Sequence, residues 1–175
     1  DRDVTGVQTC ALPIWEIKTI GDAICSIVGG GTPSRQITDY YQGSIPWATV
    51  KDLGNDFYKG DTIEHISEQA VQNSSTKVLP KGSFIISTRM GLGKGFINTV
   101  NMAINQDLKG LQLRSFVDIV FFAYWYKSGK WFHKFCNGST VQGIDLKTLK
   151  RVTFQSPSLE EQTAIANRSE EHTSE

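Results

Sequence analysis

The chain has 175 residues, and its 18 basic and 18 acidic side chains give a formal net charge of +0 at pH 7. This length is enough for one domain with a sizeable core, and the even charge balance excludes the strongly basic class of non-specific nucleic-acid binders. The most apolar stretch, residues 116–126, is too short to cross a bilayer, so we expect no membrane contact.

The two ends of the chain share an unusual relationship. Residues 8–14 and 168–175 can be encoded on opposite strands of one DNA sequence, which resembles a sequencing-library adapter. We therefore interpret residues 1–14 and 168–175 as adapter-derived artefacts, expect them to be poorly tied down, and leave them out of fold reasoning. Removing them takes away two basic and five acidic residues, which leaves a net charge of +3. Any nucleic-acid contact must then be local, and we expect the native protein to continue beyond both ends.

The first half of the remaining chain is predicted to consist mainly of short strands, from apolar alternation and from apolar runs bounded by turns. We expect an entry strand at 15–20, a strand or helical turn at 23–28, a strand at 45–50 and a hairpin-like segment at 59–66. Trp47 is expected in the core. Ser67 is positioned to cap a short helix at 67–72.

The second half combines strands with helices, so the predicted fold class is α+β. Strands are predicted at 83–88, 96–100, 102–104, 108–113 and 151–155. A buried apolar helix is predicted at 116–127 with Ser115 as its N-cap, followed by short helical segments at 130–136 and 145–149. Ser158 and Glu161 have the spacing of a capping box, so a final helix is predicted to begin after Pro157.

A turn at residues 29–35 combines three glycines with hydroxyl side chains and one charge. Glycine permits positive φ and close backbone approach, so the turn could grip a phosphate group. It could equally only close the sheet, and its composition favours neither reading. The candidate DNA-contacting residues here are Gly30, Gly31, Thr32, Ser34 and Arg35, joined by Lys51 just after the next strand.

A second glycine-rich stretch covers residues 79–95 and contains a buried strand that ends on Arg89. Lys94 follows among three glycines, so a flexible loop brings two cations and backbone N–H groups close to any phosphate chain. The alternative is an ordinary glycine-rich hairpin with solvated charges. A third polar loop, at 137–144, adds the candidates Ser139, Thr140 and Gln142.

The cysteines and charged residues form no pattern typical of a catalytic or metal site. Cys25 and Cys136 stand alone in the sequence, so we expect buried thiols in a reducing compartment and a cytoplasmic location. Lys94 is followed by Gly95, so the P-loop pattern fails, and no Cys/His group has zinc spacing. We therefore expect neither a catalytic residue nor a metal on this chain.

Several short motifs, in this order, resemble a target recognition domain from the specificity subunit of a type I restriction–modification system. They are Gly-Gly-Gly-Thr-Pro-Ser at 29–34, Ile-Pro-Trp at 45–47, Leu-Pro-Lys-Gly at 79–82, Asn-Gln at 105–106 and Glu-Glu-Gln at 160–162. The resemblance implies an α+β domain with a twisted, partly curled sheet and short helices. The recognition domain would cover 15–156, and 157–167 would begin a spacer helix.

The same resemblance implies a non-catalytic protein that reads one half of a bipartite DNA site. Its expected partners are double-stranded DNA, two modification subunits that methylate adenine, and a restriction subunit. S-adenosylmethionine, Mg²⁺ and ATP are expected on those partner subunits, and no cofactor on this chain. Two alternatives remain open: a recognition domain of a fused restriction–methyltransferase enzyme, and a protein-interaction domain without DNA binding.

Within this hypothesis the glycine-rich and cationic loops hold phosphate groups and set the register, while polar side chains read base edges in the major groove. The residues favoured over the glycines for base reading are Arg89, Lys94 and Gln142. The glycines are weaker candidates, because they can serve folding alone.

Overall fold

The computed structural model describes residues 14–137, 140–141 and 143–173. The strands are β1 (Glu16–Thr19), β2 (Ile24–Gly29), β3 (Ile45–Ala48), β4 (Tyr58–Lys59), β5 (Glu64–Ile66), β6 (Lys77–Leu79), β7 (Phe84–Ser87), β8 (Gly95–Asn98), β9 (Met102–Ile104), β10 (Leu108–Leu113), β11 (Cys136–Asn137), β12 (Thr140–Val141) and β13 (Thr153–Ser156). The α-helices are α1 (Ile20–Ala23), α2 (Glu68–Gln72), α3 (Ile119–Lys127), α4 (Leu146–Arg151) and α5 (Leu159–Thr173). Short 3-10 helices cover Thr38–Tyr41, Val50–Asp52 and His133–Phe135.

A five-stranded sheet in the order β2-β10-β7-β8-β4 lies at the centre of the fold. Its strands pair antiparallel except β4, which pairs parallel with β8. All four side chains of β7 are buried, because both faces of this sheet are covered. Phe84 and Ile86 belong to one core and Ile85 to the other, which explains the continuous apolar run in the sequence.

A four-stranded sheet in the order β5-β3-β9-β6 packs against one face of the five-stranded sheet. Side chains of both sheets form the core between them: Ile85, Phe96 and Leu108 from the first, and Ala48, Leu79, Met102 and Ile104 from the second. On the outer face Trp47 packs with Tyr40, Ile66 and Ala70. Trp47 is 1% exposed, so its predicted core position is confirmed.

Helix α3 covers the opposite face of the five-stranded sheet. Phe122 and Tyr126 meet Phe84 of β7 edge to face, with ring centroids 6.0 and 5.2 Å apart. The same core includes Phe154 of β13 and Ala166 of α5. The layers are therefore helices, the five-stranded sheet, the four-stranded sheet and α2, and the predicted α+β fold is confirmed.

The hairpin predicted at 59–66 and the predicted start of the apolar helix differ from the structure. The hairpin predicted at 59–66 is wrong, because β4 joins the five-stranded sheet and β5 pairs with β3 in the other. Ser115 is not the N-cap of the apolar helix, which begins later. The carboxylate of Asp118 accepts hydrogen bonds from the N–H groups of Val120 and Phe121, both at 2.9 Å, and so sets the start of α3.

Helix α5 begins where the capping box predicts and continues further than expected. The hydroxyl of Ser158 accepts a hydrogen bond from the N–H of Glu161 at 3.2 Å. The helix then continues to Thr173, and the expectation that residues 168–173 are poorly tied down stays a prediction. Arg and Glu are good helix formers whatever their origin, and the adapter interpretation of these residues stays a prediction. Among the described residues, no helix is long and apolar enough to cross a membrane.

A buried glutamine joins α5 to the rest of the domain. Gln162 is 0% exposed, and its amide nitrogen donates to the carbonyl oxygens of Phe116 and Pro157 at 3.0 and 2.9 Å. Its amide oxygen accepts from the N–H of Asp118 at 2.8 Å. These hydrogen bonds fix the direction in which α5 leaves the sheet, which gives the Glu-Glu-Gln motif a structural reason.

The predicted burial of Cys25 is wrong. Ile24 is buried, and because β2 alternates its side chains between two faces, the thiol of Cys25 is exposed. β2 is an edge strand of the five-stranded sheet, so no further strand of the described residues pairs beyond it. The side chain of Cys136 lies outside the described part of the chain.

Candidate nucleic-acid interface

An open cleft of about 570 Å³ lies beside the end of β7, the start of β10 and the start of α4. We refer to it as the polar cleft. Its lining residues are Thr88, Arg89, Gln106, Asp107, Lys109, Gly143, Ile144, Asp145 and Leu146. It therefore combines two cations and a neutral amide with two carboxylates.

Arg89 reaches the polar cleft because β7 ends in a tight turn. The hydroxyl of Ser87 accepts hydrogen bonds from the N–H groups of Arg89 and Met90, both at 3.3 Å. The N–H of Ile144 donates to the carbonyl oxygen of Thr88 at 2.8 Å, which ties the segment before α4 to this turn. The Arg89 side chain is exposed, and it has no ion-pair partner within the described residues.

The turn between β9 and β10 supplies Gln106 and Lys109. Asn105 is 6% exposed, and its side-chain oxygen accepts from the N–H of Asp107 at 3.1 Å. Asn105 is therefore a turn residue. The ammonium of Lys109 donates to the carbonyl oxygen of Gln106 at 3.3 Å, so both lie together in the polar cleft.

The turn at 29–35 packs against the same strand ends. A Cβ at Gly30 would lie 2.0 Å from the carbonyl oxygen of Ile104, and one at Gly31 would lie 2.0 Å from the hydroxyl of Ser75. The N–H of Gly31 donates to Ile104 at 3.1 Å. Packing alone explains these two glycines, and their predicted DNA contact stays a prediction.

Thr32 links this turn to the polar cleft. Its hydroxyl donates to the side-chain oxygen of Gln106 at 2.5 Å, across 74 residues of sequence. Ser34 accepts a hydrogen bond from the N–H of Gln36 at 3.3 Å, which is a local turn interaction. Of the candidates in this turn, Thr32 is thus the one bonded to a residue of the polar cleft.

Arg35 is occupied by a partner that the sequence did not reveal. Its guanidinium donates to both carboxylate oxygens of Glu64, at 2.5 and 3.1 Å, and lies 4.1 Å from the ring centroid of Tyr41. The hydrogen bond from Arg35 holds the pKa of Glu64 below its ordinary value, and the charge of Lys51 adds a smaller lowering. Arg35 and Lys51 therefore form a second group, and neither lines the polar cleft.

Lys94 lies in the loop after Arg89 but does not line the polar cleft. Its charge acts instead on Lys127, whose ammonium donates to the carbonyl oxygens of Gly95 and Asp56 at 2.5 and 3.1 Å. Burial first, and the charge of Lys94 to a smaller extent, hold the pKa of Lys127 below its ordinary value. The two cations of the predicted loop thus serve different parts of the surface.

The side chains of the three candidates in the third loop lie outside the described part of the structure. Ser139 and Gln142 lie outside the described residues, and Thr140 is described only as backbone in β12. Gly143 follows Gln142 and lies close to the end of β7. A Cβ at this glycine would be 3.0 Å from the carbonyl oxygen of Thr88. The third loop therefore leads directly into the polar cleft.

Sequence reasoning missed Lys109 and left Gln106 out of the site. Asn-Gln directly after a strand was a usable signal for Gln106, since amide side chains are common in base recognition. Lys109 is the second residue of β10 and looked like one polar position in an alternating strand. Its place in the polar cleft depends on how β10 meets the turn at 29–35.

A second open groove, which we refer to as the apolar groove, has a different character. It measures about 630 Å³, lies between the β1–β13 ribbon, α3 and α5, and is lined by Trp15, Ile17, Phe121, Tyr124, Trp125, Thr153, Phe154, Gln155 and Ile165. None of these side chains is charged, so the groove does not suit a phosphate chain. Within the described residues, no group of three or more His, Cys, Asp or Glu side chains could hold a metal ion.

Comparison with known proteins places the domain among restriction systems. A family model described as "Type I restriction modification DNA specificity domain" matches residues 14–174. The MjaIX specificity subunit of Methanocaldococcus jannaschii is 33% identical over 159 residues, covering 87% of this chain and 36% of the relative. The EcoR124I/EcoR124II specificity subunit of Escherichia coli is 36% identical over 101 residues, covering 55% of this chain and 24% of the relative.

A solved structure agrees with these relatives. The HsdS subunit from Thermoanaerobacter tengcongensis superposes with a TM-score of 0.67 at 22% identity, covering 91% of this chain and 37% of that one. At this identity the likeness establishes the fold alone. The chain spans little more than a third of the length of the M. jannaschii relative.

Proposed function

The chain belongs to the family of type I restriction–modification DNA specificity domains, and we propose that it binds double-stranded DNA and reads one half of a bipartite site. The observation that carries this proposal is the polar cleft, where Arg89, Lys109 and the amide of Gln106 lie together at the ends of rigid strands. Cations and exposed polar side chains at such positions can hold phosphate groups or reach base edges.

The surface around the cleft supports contact with a groove of DNA. Thr32 joins the turn at 29–35 to the cleft through Gln106, and Arg35 and Lys51 form a separate cationic group around Glu64. Phosphate contacts on both sides of a groove fix the register of a protein on the duplex. The mixture of donors and carboxylates in the cleft suits base edges better than a uniform cationic patch would.

The rest of the proposed assembly follows from the same family. We propose that α5 begins a spacer helix and that two modification subunits and a restriction subunit join the specificity subunit in the cytoplasm. In this proposal S-adenosylmethionine, Mg²⁺ and ATP bind those partners, and methylation and cleavage occur there. The apolar groove beside α5 is available for a protein contact of this kind.

The test is duplex binding by Arg89→Ala and Lys94→Ala, measured by fluorescence anisotropy over a salt titration with a library of randomised duplexes. Each variant should weaken binding and make the dependence of log K on log[salt] shallower by about one, because one phosphate contact is lost. Lys81→Ala is the matched control, since Lys81 precedes β7 at the end opposite Arg89.

Two outcomes would contradict the proposal. Unchanged affinity and salt dependence in Arg89→Ala would remove Arg89 from the interface. No duplex binding by the wild-type chain at low salt, together with tight binding to a modification subunit, would favour the protein-interaction alternative.

A further inference from the structure

We infer that Thr32 and Gln106 form a fixed hydrogen-bond donor that, with Lys109, binds one phosphate of the DNA backbone. This inference rests on the proposed DNA binding and goes beyond it by naming residues and the type of contact. Gln106 and Lys109 are the contacting residues. Thr32 is a positioning residue, because it acts through Gln106.

The Thr32–Gln106 hydrogen bond determines how the amide is presented. Because the Gln106 side-chain oxygen accepts from the Thr32 hydroxyl, the amide –NH₂ group remains available. Within the described residues this nitrogen has no hydrogen-bond partner, and the Gln106 side chain is exposed in the polar cleft. An exposed, oriented N–H donor suits an anionic oxygen.

Both sides of this hydrogen bond are held by backbone packing. The segment before Thr32 is fixed by Gly31, whose N–H donates to the carbonyl oxygen of Ile104 at 3.1 Å. Gln106 is fixed by the turn in which Asn105 accepts from the N–H of Asp107 at 3.1 Å. A donor held by two rigid segments loses little conformational entropy when a ligand binds.

Lys109 adds a positive charge to the turn that carries Gln106. Its ammonium donates to the backbone carbonyl of Gln106 at 3.3 Å and is half-buried between this turn and Gly29. Lys109 has no ion-pair partner within the described residues. One full charge and two amide hydrogens in the same cleft match what the oxygens of a single phosphate group require.

The carboxylates of the cleft are already engaged. The Asp145 carboxylate accepts from the N–H and the hydroxyl of Thr148 at 2.8 and 2.9 Å and caps α4. One oxygen of Asp107 accepts from the side-chain nitrogen of Asn105 at 3.2 Å. Both carboxylates keep their negative charge, and the donors available to a ligand include those of Gln106, Lys109 and Arg89.

Phosphate binding and base reading by Gln106 predict different results. A neutral donor to phosphate adds affinity for every sequence equally, and its removal leaves the salt dependence unchanged. A donor to a base edge adds affinity only where that base is present, so its removal relaxes the preference at one position.

The experiment compares Gln106→Ala, Lys109→Ala, Thr32→Val and Thr32→Ser in the full chain, using selection from a randomised duplex library followed by salt titrations. Gln106→Ala and Thr32→Val should each weaken binding about five-fold for all selected sequences, without changing the salt dependence. Lys109→Ala should also make that dependence shallower by about one. Thr32→Ser keeps the hydroxyl and should restore binding.

The control is Gln72→Ala, which removes an exposed amide from the end of α2, and thermal unfolding checks that each variant is folded. If the wild-type chain binds no duplex, the proposed function itself is wrong. If the wild type binds and Gln106→Ala binds equally well, only this inference is wrong. A changed base preference in Gln106→Ala would overturn phosphate binding in favour of base reading.

Discussion

Two glycine-rich loops of this domain look alike in sequence and use their glycines differently. The first glycine loop is residues 29–35, and the second is residues 89–95. Both combine three glycines with cations, and both were predicted to hold phosphate. The structure separates them by backbone conformation, by packing and by the partners of their charged side chains.

The glycines of the first loop are required by packing. None of them has a positive φ, whereas Gly91 and Gly93 of the second loop have φ values of 66° and 84°. A side chain at Gly30 would overlap the backbone of β9. The first loop therefore needs glycine because its backbone packs against β9. The second loop needs glycine because its backbone turns sharply.

The cations of the two loops also differ in whether they have an ion-pair partner. Arg35 of the first loop is paired with Glu64. Arg89 and Lys94 of the second loop are exposed and have no ion-pair partner within the part of the chain that the structure describes. Glycine content alone therefore does not identify a phosphate-binding loop. What identifies it is whether its donors remain available.

The largest expected effect is that of Gly30→Ala. Its Cβ would lie 2.0 Å from the carbonyl oxygen of Ile104, and a backbone atom within the sheet cannot move aside cheaply. We expect a loss of stability of about 3 kcal/mol or more, measured as a lower midpoint of urea unfolding. Gly54→Ala is the control, since nothing lies within 4 Å of a Cβ there. Equal midpoints for the two variants would show that the first loop is not a packing element.

A smaller effect is expected for Gly91→Ala in the second loop. The nearest atom to its Cβ is Cδ of the flexible Lys94 side chain at 3.2 Å, so the cost comes mainly from the positive φ. We expect a loss of about 1–2 kcal/mol, again from urea unfolding. Gly91→Asn should lose less, because asparagine tolerates this conformation better. If the two variants lose equal stability, backbone conformation is not what sets the glycine at this position.

The sequence predicted local features well, because local rules determine them. β10 was predicted with its observed bounds, 108–113. The Ser67 cap of α2 was predicted too, and its hydroxyl accepts from the N–H of Ala70 at 3.2 Å. The start of α3 was misplaced, because Ser115 and Asp118 are both good N-caps and only packing selects between them.

The candidate site was predicted only in part, because its key contacts join distant segments. Arg89 was identified from its position at the end of a strand. The pairing of Arg35 with Glu64 and of Thr32 with Gln106 spans 29 and 74 residues. No local pattern reveals such pairs, so a cation that looked available proved to be engaged, and a neutral amide proved to be available.

The smallest expected effect on stability is that of Glu64→Gln. The hydrogen bond from Arg35 holds the pKa of Glu64 below its ordinary value of 4.5. The ion pair therefore stabilises the fold above that value, and its contribution is lost as the pH falls through the folded-state pKa. We expect the variant to melt about 2 °C lower at neutral pH. Thermal unfolding at decreasing pH should show this difference shrinking toward zero.

The ion pair between Arg35 and Glu64 predicts that the cations of the two loops contribute unequally to duplex affinity. Because Glu64 already neutralises Arg35, Arg35→Ala should weaken duplex binding less than Arg89→Ala does. Glu64→Gln frees the guanidinium and should raise affinity at low salt, and the double variant should lose that gain. If instead Arg35→Ala weakens binding as much as Arg89→Ala, the first loop binds DNA through its charge despite the pair. Its packing role and its binding role would then coexist, and the contrast between the loops would hold only for their backbones.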